Sequence, residues 1–241
     1  MIKHSLDHLC VVYQDEAILA INKPAGLLCH PVGHYQGDTL LARVQYYFGK
    51  DARLVHRLDQ GTSGIMIIAR NMLVAQILYE QFSSRKIQKE YIALVYGRFP
   101  YEEGMVNLPL ASEKSQESMI KIKMKGDPHG LPSLTTYKLI KRSDSYSLLK
   151  LHPETGRKHQ IRIHLASLGY PVLNEPLYQH EGLPFLWEYY FSRKSPWQTP
   201  IKGLGLHACQ IDLQHPFSKD GLSFRAKPPE DWANFLDQAW D

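Results

Sequence analysis

Cysteine is scarce: the 241 residues hold three, Cys10, Cys29 and Cys209, and no two form a C-x-x-C pair. That excludes a disulfide framework and a thiolate zinc site, and it fits a reducing compartment. No apolar run approaches the ~20 residues that span a bilayer. The first residues, interrupted by Lys3, His4, Asp7 and His8, lack the continuous apolar core of a secretion signal. Neither G-x-x-x-x-G-K-[ST] nor G-x-G-x-x-G occurs, so no nucleotide cofactor is supported. Ser63 lacks the G-x-S-x-G elbow of a serine hydrolase. His159 and His164 stand five apart, on different faces of a helix, and His30 and His34 merely share a Gly/Pro loop, so no metal is expected. Internal repeats are absent. A net charge of +4 permits a polyanionic partner without requiring one. A cytoplasmic protein with no membrane attachment is expected.

What is present is globular composition, 44% hydrophobic with ordinary glycine and proline content. Cys10 to Lys23 alternate β-favouring runs around Gln14-Asp15-Glu16 and predict a hairpin. Asp38 is the expected N-cap of a short helix carrying Leu40, Leu41, Val44 and Tyr47, with Gly49 closing it. Leu54 to Ala69 reads as strand, turn and strand, with Ile65 to Ile68 fully buried. Asn71 caps a helix with Val74, Ile77, Leu78 and Phe82 at helical spacing. Gln88 to Tyr96 and His207 to Phe224 are β-rich. Thr155-Gly156 precedes a helix with Ile161, Leu165 and Leu168 on one face, ended by Gly169 and Pro171. The interleaving lacks a regular βαβ period, so the expected fold class is α+β around one mixed, mostly antiparallel central sheet flanked by helices. A single domain over residues 1–241 is expected, with no small appendage before Val11.

Three constellations carry candidate chemistry. In His56-Arg57-Leu58-Asp59 before Gly61-Thr62-Ser63-Gly64, a carboxylate stands at a strand end beside a cation, where it is a base, a nucleophile, or simply a cap on the amides of Thr62 and Ser63. Between Glu154 and Glu175, Arg157, Lys158 and Arg162 cluster at a helix start with no acid among them. Helix starts prefer acids, so either an anionic partner or a solvated charge run is implied. Tyr91, among basic residues on a strand, is either a stacking platform for a flipped base or a core tyrosine. The aromatics from Tyr178 to Trp197 fit a hydrophobic cluster under a long loop, or a surface for bases or a partner.

Taken together, these segments resemble the RluA family of RNA pseudouridine synthases. Ile21-Asn22-Lys23-Pro24-Ala25-Gly26-Leu27 with His30-Pro31 is similar to the family's first block, and His56-Arg57-Leu58-Asp59 with Thr62-Ser63-Gly64 to its signature. Lys89 to Gly97 resembles the tyrosine strand, Thr155 to Arg162 with His164-Leu165-Ala166 the arginine block, and Leu206-His207-Ala208 with His215-Pro216-Phe217 the C-terminal block. One departure is visible: Asn174-Glu175 stands where the family usually has Gly-Asp.

The resemblance implies the pseudouridine synthase fold with a cleft crossing the sheet, and isomerisation of uridine in ribosomal or transfer RNA without a cofactor, by a monomer. It implies Asp59 as the group that attacks the ribose, Arg162 as the cation that keeps it ionised, and Tyr91 as the base-stacking residue and proton acceptor. Arg57 would replace the extruded base in the stack, His56 would join it in substrate binding, and Lys23, Arg157 and Lys158 would contact phosphates. Two other classes compete. A non-catalytic RNA-binding protein would not need the Asp59, Tyr91 and Arg162 trio, and a carboxylate hydrolase would need a second acid that no block offers.

Overall fold

A computed structural model describes residues 9–32, 37–113, 123–178, 199 and 201–239. His34 and the aromatic stretch beyond Tyr178 lie outside the described residues. In chain order the elements are β1 (Cys10–Gln14), β2 (Ile18–Lys23), α1 (Leu40–Phe48), β3 (Arg53–Leu54), β4 (Ser63–Ala69), α2 (Met72–Ser83), β5 (Gln88–Tyr96) and β6 (Glu103–Asn107). They continue with β7 (Leu110–Ser112), β8 (Met124–Gly126), β9 (Leu134–Arg142), β10 (Tyr146–Pro153), α3 (Gln160–Ser167), β11 (Leu206–Gln214), β12 (Gly221–Arg225) and α4 (Glu230–Ala239). The expected class is borne out: most of the strands form a mixed, mostly antiparallel sheet flanked by helices, while β7 and β8 pair with each other in a separate ribbon. The chain divides into two compact units, Met1–Glu90 with His207–Glu230, and Tyr91–Leu206 with Asp231–Asp241.

In the first unit β4 is the spine. All seven of its residues are buried, as the unbroken Ile65-Met66-Ile67-Ile68 run predicts. It pairs antiparallel with β2 and, at Ser63 and Gly64, parallel with β11. The β1/β2 hairpin forms where expected, and Asp15 Oδ1 accepts the N–H groups of Ala17 and Ile18, both at 2.7 Å, to hold its turn. Asn71 caps α2 by accepting from Val74 N–H, which lays Val74, Ala75 and Leu78 into the core.

Two expectations need correction in this unit. Thr39, not Asp38, caps α1, because its extended backbone aims Oγ1 at Ala42 N–H while Asp38 is drawn into an ion pair with Arg43. The strand expected from Leu54 stops there: β3 is only Arg53–Leu54. The next rung would use the N–H of Ile67, and that group donates instead to His56 Nε2 at 2.8 Å. A side chain thereby replaces the ladder and releases residues 55–62 from the sheet.

In the second unit β5, β10, β9 and β6 pair antiparallel in that order. Alternation sorts the two faces. Ala93, Val95, Leu149 and Leu151 pack with Ile161 and Leu165 of α3. On the other face Leu94, Ile92 and Leu148 pack with Trp232 and Phe235 of α4. The α3 helix is buried almost all round, so Gln160, Arg162 and His164 enter the core with the apolar residues and must find partners there.

Candidate active site

The Asp59 turn in the first unit is held from both sides. Its own closure is a main-chain bond, Thr62 N–H to the Asp59 carbonyl at 3.1 Å, so the carboxylate is not needed to form the turn. On one side Gln60 is tied to the loop after β2. Gly26 N–H donates to the Gln60 carbonyl at 2.7 Å, Gln60 Nε2 donates to the Gly26 carbonyl at 3.1 Å, and Lys23 Nζ reaches the Gln60 carbonyl at 3.3 Å.

On the other side Ser63 Oγ and His207 Nδ1 lie 2.8 Å apart, and His207 Nε2 is 3.0 Å from the Ala226 carbonyl. A carbonyl only accepts, so Nε2 carries the proton and Nδ1 accepts from the Ser63 hydroxyl. Burial pushes His207 down to about 4, which keeps it neutral in that tautomer at pH 7. At the next position Gly64 sits at φ +122°, where a Cβ would meet the Ala208 carbonyl oxygen at 2.3 Å. Only glycine permits so close an approach.

Lys23 lies beneath this turn, fully buried, with its ammonium also donating to the carbonyls of Pro24 and Leu27. Burial pushes its pKa down to about 8, against the opposing influence of Cys29 and Asp59. Cys29, its neighbour, donates to the Leu58 carbonyl and is pushed up by burial, a push that Lys23 moderates. The turn thus rests on a buried ammonium that feels the charge of Asp59. Thr62 is also buried, yet its Oγ1 has no hydrogen-bond partner among the described residues. A buried hydroxyl left that way costs about 1–3 kcal/mol.

In the second unit Arg162 is 4% exposed and Glu175 1%. They meet in a two-point pair, Nε to Oε2 at 2.8 Å and Nη2 to Oε1 at 2.7 Å. The guanidinium lies 5.3 Å above the Tyr178 ring, whose hydroxyl is 2.6 Å from His159 Nδ1 and accepts from Met124 N–H. Gln160 organises the loop before α3. Its Oε1 accepts from Thr155 Oγ1 and Arg157 N–H, and its Nε2 donates to the Leu134 carbonyl and Thr135 Oγ1. His164 bridges Thr135 Oγ1 and the Leu108 carbonyl. The Asn174-Glu175 departure is built in. Asn174 takes a left-handed φ of 60°, open to glycine and tolerated by asparagine, and Glu175 supplies the carboxylate beside it.

Of the sequence-predicted residues, Lys23, His56, Arg57 and Asp59 fall in the first unit, and Tyr91, Arg157, Lys158 and Arg162 in the second. Arg57 is exposed, and Asp59 is half-buried on its turn. Tyr91 is half-buried on β5, opposite Leu151. Arg157 and Lys158 precede α3 rather than lying in it.

Two residues expected at the substrate are engaged in the fold. The Lys23 ammonium, expected at a phosphate, is buried against three carbonyls. His56 serves the fold, accepting from Ile67 N–H with its ring against Phe82 at 5.0 Å, and burial pushes it down to about 3. Sequence reading missed Glu175 as a partner of Arg162, along with Gln160 and the burial of Lys23. For Lys23 a signal existed: it shares the strand face of Leu19 and Ile21.

Among the described residues no helix is long and apolar enough to cross a membrane. Residues 17–167 match the family model described as RNA pseudouridylate synthase. A dual-specificity RNA pseudouridine synthase RluA from Vibrio cholerae is 40% identical over 212 residues, covering 86% of this chain and 78% of that protein. A ribosomal large subunit pseudouridine synthase D from Blochmanniella floridana is 31% identical over 229 residues, covering 92% and 70%. Among solved structures, human RNA pseudouridylate synthase domain containing 1 aligns with a TM-score of 0.71 at 25% identity, over 95% of this chain and 87% of that one.

Proposed function

The chain belongs to the RluA family of RNA pseudouridine synthases, and from that membership we propose that Asp59 is the residue that attacks the ribose of a target uridine. The observation that carries this reading is the Asp59 turn, fastened by Lys23 and Gly26 on one side and by the Ser63–His207 bond on the other. A carboxylate that must meet one sugar carbon benefits from a mount that does not yield.

The reaction is an isomerisation, so it needs neither oxidant nor energy source. The C1′–N1 bond of uridine breaks and a C1′–C5 bond forms. The C5 proton leaves and N1 gains one. Asp59 serves either as nucleophile at C1′ or as the base that takes the C2′ proton to give a glycal. Tyr91 stacks on the uracil and accepts the C5 proton, while Arg162 supports the ionised carboxylate. Arg57, exposed next to Asp59, fills the place of the extruded base and offsets part of an unstacking cost of a few kcal/mol. Arg157 and Lys158 take phosphates, which position RNA without reading its sequence.

The relatives' names favour ribosomal RNA, or ribosomal and transfer RNA both, as the substrate, and the enzyme is cytoplasmic as those bacterial RNAs are. The test is tritium release from RNA carrying 5-tritiated uridine. Wild type releases tritium and Asp59→Ala does not; release that persists in Asp59→Ala refutes the role given to Asp59.

A further inference from the structure

The Asp59 turn carries two adjacent hydroxyls with opposite fates. Ser63 is spent on the fold: its proton goes to a histidine nitrogen whose tautomer the Ala226 carbonyl fixes. Thr62 is 2% exposed, its N–H closes the turn, and its hydroxyl meets no partner among the described residues. Slack does not explain this. Position 60 is fixed to the loop after β2, and position 64 is locked against the Ala208 backbone, so the backbone of the turn is held on both sides of Thr62 and the freedom left to the hydroxyl is its own side-chain rotation. Unfavourable local arrangements that persist in such frames mark groups whose interaction is made in another state. The acceptor that the same turn supplies, three residues earlier, is the Asp59 carboxylate.

We propose that Thr62 is a positioning residue for the reaction: its hydroxyl donates to the Asp59 carboxylate as that group advances on the sugar, and fixes the carboxylate's orientation for attack. The inference rests on the reading of Asp59 as the attacking group. A bond made in the transition state and not in the bound ground state raises kcat and leaves substrate binding alone. It also sets stability against turnover, since replacing an unsatisfied buried hydroxyl by a methyl group of the same shape is neutral or stabilising.

The experiment compares wild type, Thr62→Val and Thr62→Ser in tritium release under single-turnover and steady-state conditions, with RNA binding and thermal unfolding measured on the same preparations. Thr62→Val is expected to lose about tenfold in kcat, with KM and RNA affinity within twofold of wild type and an equal or higher Tm. Thr62→Ser, which keeps the hydroxyl, stays within threefold in kcat and melts lower for its lost methyl group. Thr62→Ala against Thr62→Ser gives the same contrast at equal methyl loss, so the comparison survives poor folding of the valine variant. Unchanged kcat in Thr62→Val with a lowered Tm overturns the proposal, because the hydroxyl is then structural and satisfied by a trapped water. A raised KM at constant kcat overturns it as well. Wild-type inactivity, or activity in Asp59→Ala, would instead defeat the reading of Asp59 and leave a recognisably different record.

Discussion

Glu175→Gln tests the buried ion pair most directly. The side chain keeps its shape and burial, but the negative charge that Glu175 presents to Arg162 disappears. The wild-type pair has two short bonds, 2.8 and 2.7 Å, and Glu175 Oε1 also accepts from Leu177 N–H at 3.0 Å. The amide retains one acceptor oxygen and turns an NH2 group toward guanidinium N–H donors, so at least one bond becomes a donor-donor contact. Removing one partner of a buried pair typically costs about 3–5 kcal/mol, because the buried cation then faces one negative charge fewer. At roughly 2–4 °C per kcal/mol for a chain of this size, Tm should fall by about 6–20 °C. Urea unfolding followed by circular dichroism gives the free energy, and Glu175→Asp, which keeps the charge at a shorter reach, should lose less. Tritium release, assayed at a temperature where the variant is fully folded, should fall as the orientation of Arg162 is lost. An unfolding free energy within about 1 kcal/mol of wild type in Glu175→Gln would refute the reasoning.

Further outcomes follow from the first unit. Lys23 is held at about 8 against an ordinary 10.5, so the unfolded chain binds the extra proton between those values and stability rises with pH across that window. Measured against Lys23→Met, wild type should gain up to about 3 kcal/mol from pH 8 to 10.5, and a flat difference would contradict the burial of a charged ammonium. His207, at about 4 against an ordinary 6.5, has the same sign lower down: its contribution is complete above pH 6.5 and is lost as pH falls toward 4. His207→Gln should therefore flatten the stability profile near pH 5.5 by about 1.2 kcal/mol per pH unit, as read by urea titrations at several pH values. Gly64→Ala places a Cβ 2.3 Å from the Ala208 carbonyl oxygen at φ +122°. It should cost more than about 3 kcal/mol and part β4 from β11, visible as faster hydrogen exchange at Ser63 and Ala208.

Much of this was legible before any coordinates, and the legible parts share a cause. The buried run of β4, the Asn71 cap and the Asp15 turn depend on residues within a few positions of each other, so local patterning reports them. The failures involve a competing partner that sits elsewhere. Asp38 is a good cap by type, but Arg43 claims it. The strand after Leu54 has the right composition, yet a histidine ring takes the amide that the next rung would use. Lys23 looked like a phosphate ligand because charge usually signals solvent. Its carbonyl partners become visible only when residues 24–27 and 60 are brought together.

The Asn174-Glu175 pair shows the same limit from the other side. As a departure from Gly-Asp it reads as a loss of both the flexible residue and the shorter acid. In three dimensions Asn174 adopts the positive φ that a glycine would take, and secures it with bonds to the carbonyls of Ile201 and Gly203 and to Thr199. Two residues thus change together while the left-handed turn and the carboxylate beside it are both kept. If that is right, Asn174→Ala should be worse than Asn174→Gly. Alanine loses the side-chain bonds and adds about 1 kcal/mol of left-handed strain, whereas glycine loses the bonds alone. Thermal unfolding of the two variants should rank them in that order, and the reverse ranking would mean that the turn is held by something other than its backbone geometry.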